Sequence, residues 1–137
     1  MVLPAGFTPL PLYRELKVRY KAGAQEAGRF RYLSLDEYMG LSAGDERLFS
    51  SWLGREILDP LNIPPGHRFK FISDVPSPEE ELRRMEKIIQ AQQGIDIAFL
   101  GLGVNGHIGF NEPGSPHEAG VRIAELAPAT LEANAAY

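Results

Sequence analysis

Cysteine is absent from all 137 residues. That excludes a disulfide framework, a thiolate nucleophile and every Cys-ligated zinc or iron–sulfur site. Long apolar runs are missing too. The longest, Ile97 to Val104, holds eight residues, two of them glycine, where a membrane span needs roughly 20. Positive charge is scarce and unclustered: fourteen Lys and Arg against eighteen Asp and Glu give a formal charge of −4. A nucleic-acid binder carries a clustered basic face, so no nucleic-acid partner is expected. The opening MVLPAGFTPLPLY has no basic stretch ahead of an apolar core and does not read as a secretory signal. The expected address is the cytoplasm, away from membranes.

What is present, 44% apolar and 23% charged residues, describes one globular domain over 1–137. Four short runs read as strands: a stub at Val2-Leu3, then 29–35, 68–75 and 95–102. The last is apolar on both faces after Asp96, the pattern of a strand covered by helices on two sides. Helical patterns lie between them. Thr8 and Pro9 open one that places Leu12, Leu16 and Tyr20 on a common face. A second is expected over 47–58, burying Leu48, Trp52 and Ile57. The third has the clearest start, with Ser77 as cap, Pro78 at its first position and Glu79 to Glu81 in the first turn. Its apolar stripe is Leu82, Met85, Ile88 and Ile89. A last helix is expected over 128–137. Strands alternating with helices predict a doubly wound, mostly parallel α/β sheet of modified Rossmann type. The chain starts in a strand and stops in a helix, so the sheet is expected to be incomplete at both ends and to belong to a larger fold. Its bare edges are expected to drive self-association into a homo-oligomer.

Open parallel sheets hold ligands outside the carboxyl ends of their strands. Three loops of this sequence arrive at that rim. In the first, Gly6 permits a sharp turn, and Thr8 with the free amides at the helix start can hold an anion. The second carries the adjacent acids Asp36 and Glu37, which on an extended chain point to opposite sides, one toward the crevice and one toward a structural task. The third, 101–114, has five glycines in fourteen residues together with Asn105, His107 and Glu112. Glu112 lies across a turn, where it could orient and charge the imidazole. Gly101 to Gly106 formally matches G-x-G-x-x-G, but the turn-forming 111–116 follows where a dinucleotide site needs a helix. A metal site from His107, Glu112 and His117 lacks any element to fix its geometry. No G-x-S-x-G elbow of a serine hydrolase is present.

Two segments carry a resemblance. Leu35-Asp36-Glu37-Tyr38-Met39-Gly40-Leu41 and the stretch from Gly103 to Gly114, with its Phe110-Asn111-Glu112-Pro113, resemble the signature loops of glucosamine-6-phosphate deaminases. The turn from Gly6 to Pro9 and the stretch from Glu125 to Asn134 are similar as well. The likeness runs along nearly the whole chain and covers about the central half of a typical member. It implies conversion of glucosamine 6-phosphate and water to fructose 6-phosphate and ammonia, with a small sugar phosphate as ligand and no metal or organic cofactor. It also implies catalytic roles for four residues. His107 would open the sugar ring, Glu112 would hold and polarise the His107 imidazole, Asn105 would stand in the ring-opening group where some members carry Asp, and Asp36 would move the C2 proton to C1. Gly6, Phe7, Thr8, Glu37 and Gly106 would contact substrate. Two departures bear on the phosphate. Phe7 stands where the family has Gly or Ser, so its ring is expected to obstruct the phosphate turn. Ala136 stands where the family places an arginine, and the family's lysine would fall beyond Tyr137. A non-catalytic sugar-phosphate-binding or assembly module is the alternative reading. The related 6-phosphogluconolactonases, which share the Gly-His pair but not 110–113, are a more distant one.

Overall fold

The computed structural model describes residues 1–21 and 29–134. Its strand pairing is parallel. β1 (Tyr32–Leu33) runs beside β2 (Arg68–Phe69), with Tyr32 opposite Arg68 and Leu33 opposite Phe69. Val2 bridges both Leu33 and Ala98 in parallel. Its N–H donates to the Ile97 carbonyl at 2.9 Å, and its own carbonyl accepts from the Phe99 N–H at 3.1 Å. Across the sheet, therefore, the four segments lie in the order fourth, first, second, third. The direction of winding reverses between Val2 and Ala98, and the crevice beyond that point is where such sheets place a ligand.

Alternation along the strands sends neighbours to opposite faces. Leu3 and Tyr32 pack on one side with Tyr13 of α1 (Leu10–Lys21) and Leu53 of α2 (Phe49–Leu53). Leu12, Leu16 and Tyr20 close over that cluster, as their spacing predicts. Val2 and Leu33 face the other way, onto Met85, Ile88 and Ile89 of α3 (Pro78–Ala91). Helices on both faces make this the doubly wound α/β arrangement expected. α3 begins as its sequence dictates: Pro78 stands at the first position and Ser77 Oγ accepts the Glu80 N–H at 3.4 Å. Glu81 does more than favour the helix start. It is buried, accepts the Ile72 N–H at 2.8 Å and pairs with Arg84, bolting the helix to the end of the third strand.

Three expectations are corrected. The patterns at 29–35 and 68–75 pair as a ladder over only two residues each, because the chain leaves the sheet after Ser34 to build the rim. The helix expected over 47–58 is two pieces, α2 and a π turn at Gly54–Leu58 closed by the Asp59 N–H on the Gly54 carbonyl at 3.0 Å. The ring widens at Gly54, the poorest helix former in the run. The fourth strand is not covered on two sides. Ile95, Ile97, Phe99, Leu100 and Leu102 are 39–77% exposed, since among the described residues nothing packs beyond them. The last helix, α4, is described over Pro128–Asn134, and the remainder of the expected segment lies outside the described residues. Among the described residues, no helix is long and apolar enough to cross a membrane.

Candidate active site

The first rim loop is fixed by α1. The Tyr13 hydroxyl, on a fully buried ring, donates to the Pro4 carbonyl at 2.6 Å, and Gly6 makes the turn with φ +101°. Gly6 and Thr8 then border a cleft of about 360 Å³. Phe7 does not. It is 59% exposed and lies outside the cleft lining, so its ring leaves the turn open rather than obstructing it.

At the second loop the two acids part, and each meets a different environment. Asp36 borders the same cleft. Burial pushes its carboxyl up to about 7, and the neighbouring Glu37 charge adds to the rise. Glu37 turns to the fold. Its two oxygens accept the N–H groups of Phe49 and Ser50, both at 2.9 Å, and one also accepts from Tyr38 at 3.1 Å. Leu48, at the cap position of α2, offers no side-chain acceptor, so Glu37 caps that helix from twelve residues away. Both Glu37 oxygens are thus engaged by the fold, and the residue borders the larger hollow on the α3 side rather than the cleft that holds His107.

The third loop folds back as a tight hairpin. Leu102 bridges Ile108, the Gly103 N–H donates to the His107 carbonyl at 2.8 Å, and Gly106 turns with φ +91°. Gly106 thus shapes the hairpin and does not line the cleft. No helix opens behind these glycines; the next begins at Pro128, which removes the dinucleotide reading. The His107 ring packs so closely on Gly103 that a Cβ there would collide with Cε1 and Nε2. Gly109, with φ +56°, lets the loop pass against Leu35 and Asp36; a Cβ there would meet Leu35 at 3.2 Å and Asp36 Oδ2 at 3.5 Å. Phe110 locks the approach from outside by packing on Tyr38 at 5.5 Å and Phe49 at 5.6 Å between ring centroids. The acid after the second strand and the imidazole after the fourth so come to one hollow. A larger hollow of about 680 Å³ on the α3 side also touches Asp36, but His107 is not among its walls.

Behind the imidazole the polar groups form a chain. His107 Nδ1 lies 2.8 Å from Asn105 Oδ1, which also accepts the His107 N–H at 3.1 Å. Asn105 Nδ2 donates to Glu112 Oε2 at 2.6 Å. Glu112 reaches the ring through that amide, not directly as the sequence suggested. Hydrogen bonds from the Thr130 hydroxyl, the Ala127 N–H and Asn105 hold its carboxyl below the usual carboxylate range. Because a carboxylate accepts only, the Asn105 amide can point just one way. Its oxygen then faces Nδ1, so Nδ1 carries the proton and Nε2 keeps its lone pair. The set can accept a proton from a ligand hydroxyl and return it nearby.

Sequence reasoning missed Thr130, Phe110 and Asn134. Asn134 borders the cleft with a buried Nδ2 that has no acceptor among the described residues. Thr130 has no signal in spacing or composition. Ala136 lies outside the described residues.

Known proteins share the sequence and the fold of this chain. The family model described as glucosamine-6-phosphate isomerases/6-phosphogluconolactonase matches residues 1–129. Glucosamine-6-phosphate deaminase 2 of Bacillus subtilis (strain 168) is 36% identical over 98% of this chain and 54% of its own length. Glucosamine-6-phosphate deaminase of Shouchella clausii (strain KSM-K16) is 39% identical over 98% of this chain and 55% of its own. A solved structure described as a monomeric glucosamine-6-phosphate deaminase superposes with a TM-score of 0.94 at 32% identity, over 99% of this chain and 56% of that one. The chain spans about half the length of the curated relatives it matches. With a family model along nearly its whole length and a parallel sheet that superposes on a solved member, the chain belongs to the glucosamine-6-phosphate isomerase/6-phosphogluconolactonase family.

Proposed function

We propose that this chain carries the proton-transfer centre of a glucosamine-6-phosphate deaminase, whose overall reaction turns glucosamine 6-phosphate and water into fructose 6-phosphate and ammonia. The observation that carries this reading is the meeting of Asp36 and His107 over one sugar-sized cleft, with Asn105 and Glu112 behind the imidazole. His107 Nε2 takes the proton of the anomeric hydroxyl and hands it to the ring oxygen, opening the pyranose. Asp36 takes the proton from C2 and returns it at C1 while a proton of the amine passes to O1, which converts the aminoaldehyde to the imine of fructose 6-phosphate. Water then adds to that imine, and ammonia leaves. A carboxyl with its pKa raised to about 7 suits a group that must take and return a proton near neutrality. Gly6 and Thr8, at the free amides before α1, are the groups for the phosphate. A charged sugar phosphate does not cross a bilayer, so the cytoplasm is the address this reading implies.

The test is a coupled assay for ammonia and fructose 6-phosphate. Turnover by the wild type and its loss in His107→Ala are the expected results; equal turnover by both overturns the assignment. Calorimetric binding of hexosamine phosphate without product would make the chain a binding module instead. Release of acid from 6-phosphogluconolactone would place it on the lactonase branch.

The uncovered apolar edge at 95–102 supports a further expectation, association of this chain with itself. The monomeric solved relative is no guide here, because this chain covers only 56% of it. Sedimentation velocity over a range of concentrations should show a concentration-dependent larger species. A single monomeric boundary throughout would remove the idea.

A further inference from the structure

Thr130 sits on α4, is fully buried, and brings its hydroxyl 3.1 Å from His107 Nδ1 and 3.5 Å from Asn105 Nδ2. The same hydroxyl is the first cause that holds the Glu112 carboxyl below the usual carboxylate range. A hydroxyl has one proton to give and two lone pairs. Asn105 Nδ2 only donates, and the Glu112 carboxylate only accepts. The hydroxyl proton therefore points to Glu112, and a lone pair is left facing Nδ1. That lone pair is satisfied only if Nδ1 carries hydrogen.

The ring is consequently held from two sides. The Asn105 oxygen and the Thr130 oxygen both demand a proton on Nδ1, and both are oriented by the same carboxylate. Asparagine at 105 makes the second side important. Among the described residues no carboxylate is hydrogen-bonded to this imidazole, and the Glu112 charge reaches it through an amide and a hydroxyl. Glu112 also accepts the Ala127 N–H at 3.0 Å, just ahead of α4, so the seat of Thr130 is fastened to the group it orients.

We propose that Thr130 is a positioning residue that fixes His107 as its Nδ1–H tautomer, leaving the Nε2 lone pair for the sugar. Its functional meaning rests on the deaminase reading, but its physical content does not. The tautomer is read directly in long-range ¹H–¹⁵N spectra of the ¹⁵N-labelled chain without substrate, with the His107 ring assigned by comparison with His107→Ala. Wild type should show Nε2 as the unprotonated nitrogen. Thr130→Val keeps the shape and removes the hydroxyl, so the preference for Nδ1–H should fall about fivefold, the worth of one ordinary hydrogen bond. Thr130→Ser should restore it. An unchanged tautomer in Thr130→Val, with the backbone amide spectrum intact, overturns the proposal. So does failure of serine to rescue, which would leave the methyl group as the part that matters. Should the valine variant lose its fold, Glu112→Gln reads the same linkage, because a glutamine no longer compels the hydroxyl to point away from the ring. A wild-type tautomer in that variant also overturns the proposal. Turnover plays no part in these readouts: a chain that deaminates nothing but shows the expected shift keeps Thr130 in this role and sinks only the deaminase reading.

Discussion

An Asp36→Asn variant should lose turnover by about 10²–10⁴-fold, the usual worth of a positioned general base, and at the same time become the more stable protein above neutral pH. Both effects follow from one carboxyl. Asp36 is half-buried at the rim beside the Glu37 charge, and its pKa is raised to about 7 from an unfolded value near 3.8. The folded state thus binds the Asp36 proton more tightly than the unfolded chain does. Stability from this group is complete below about pH 4, declines as pH rises, and is lost above about 7. At about 1.4 kcal/mol per pKa unit the loss amounts to as much as about 4 kcal/mol. Asparagine carries no proton to lose, so the variant should lack this slope. Urea unfolding at pH 5 and pH 8 checks it: the wild type should weaken between the two relative to the variant. Turnover of the wild type should rise with pH through about 7 as the base ionises. Parallel stability curves for the two proteins would mean that Asp36 is solvated and ordinary.

The parts of this molecule that were legible in the sequence are those set by local rules. Ser77-Pro78 followed by three glutamates announces a helix start because cap, fixed φ and dipole all act within one turn, and α3 begins there. Leu12, Leu16 and Tyr20 meet the core because a helix has a fixed period. The alternation of elements predicts a doubly wound parallel sheet because a right-handed crossover leaves few other choices, whereas the strand order comes from the pairing of Val2 with both Leu33 and Ala98. What failed depends on distant neighbours. The run at 95–102 shows by its composition that it needs cover, but composition cannot supply the cover, and the strand stands open.

The site divides along the same line. That one acid of the pair would face the crevice and the other do structural work followed from strand geometry; which was which did not. The Asn105–His107 backbone contact obeys a local rule, an asparagine bonding the N–H two residues on, although the sequence reading did not draw it. The path from Glu112 obeys no such rule. Glu112 lies seven positions along the hairpin from Asn105, and only the turns at Gly106 and Gly109 decide that the carboxylate meets an amide before it meets a ring. Thr130 arrives from a separate helix, and although the stretch from Glu125 to Asn134 resembles the family, no spacing or pattern within it singles out Thr130.

Glu37→Gln should be the most destabilising change at the rim, costing about 2–3 kcal/mol, since bonds to a charged acceptor are worth about 1.5–3 each and two backbone donors rely on this one. Phe49 and Ser50 each donate to a different oxygen of the carboxylate. Glutamine has a single carbonyl oxygen and would set its NH₂ against the other N–H, leaving a helix start without an acceptor where Leu48 has none to offer. α2 and the π turn behind it carry Leu53, Ile57 and Leu58 into the core, so loosening the start is felt in the packing of one whole face. Urea denaturation at pH 8 measures the loss. A second readout separates capping from general damage. The Glu37 charge is one of the causes that raise the Asp36 pKa, so neutralising it should lower that pKa and move the acid limb of any turnover profile, or the Asp36 carboxyl titration seen by ¹³C spectroscopy, to lower pH. A variant as stable as the wild type would mean that α2 finds its cap elsewhere. An unmoved Asp36 titration in a folded variant would mean that burial alone, without the adjacent charge, sets the proton affinity of the rim.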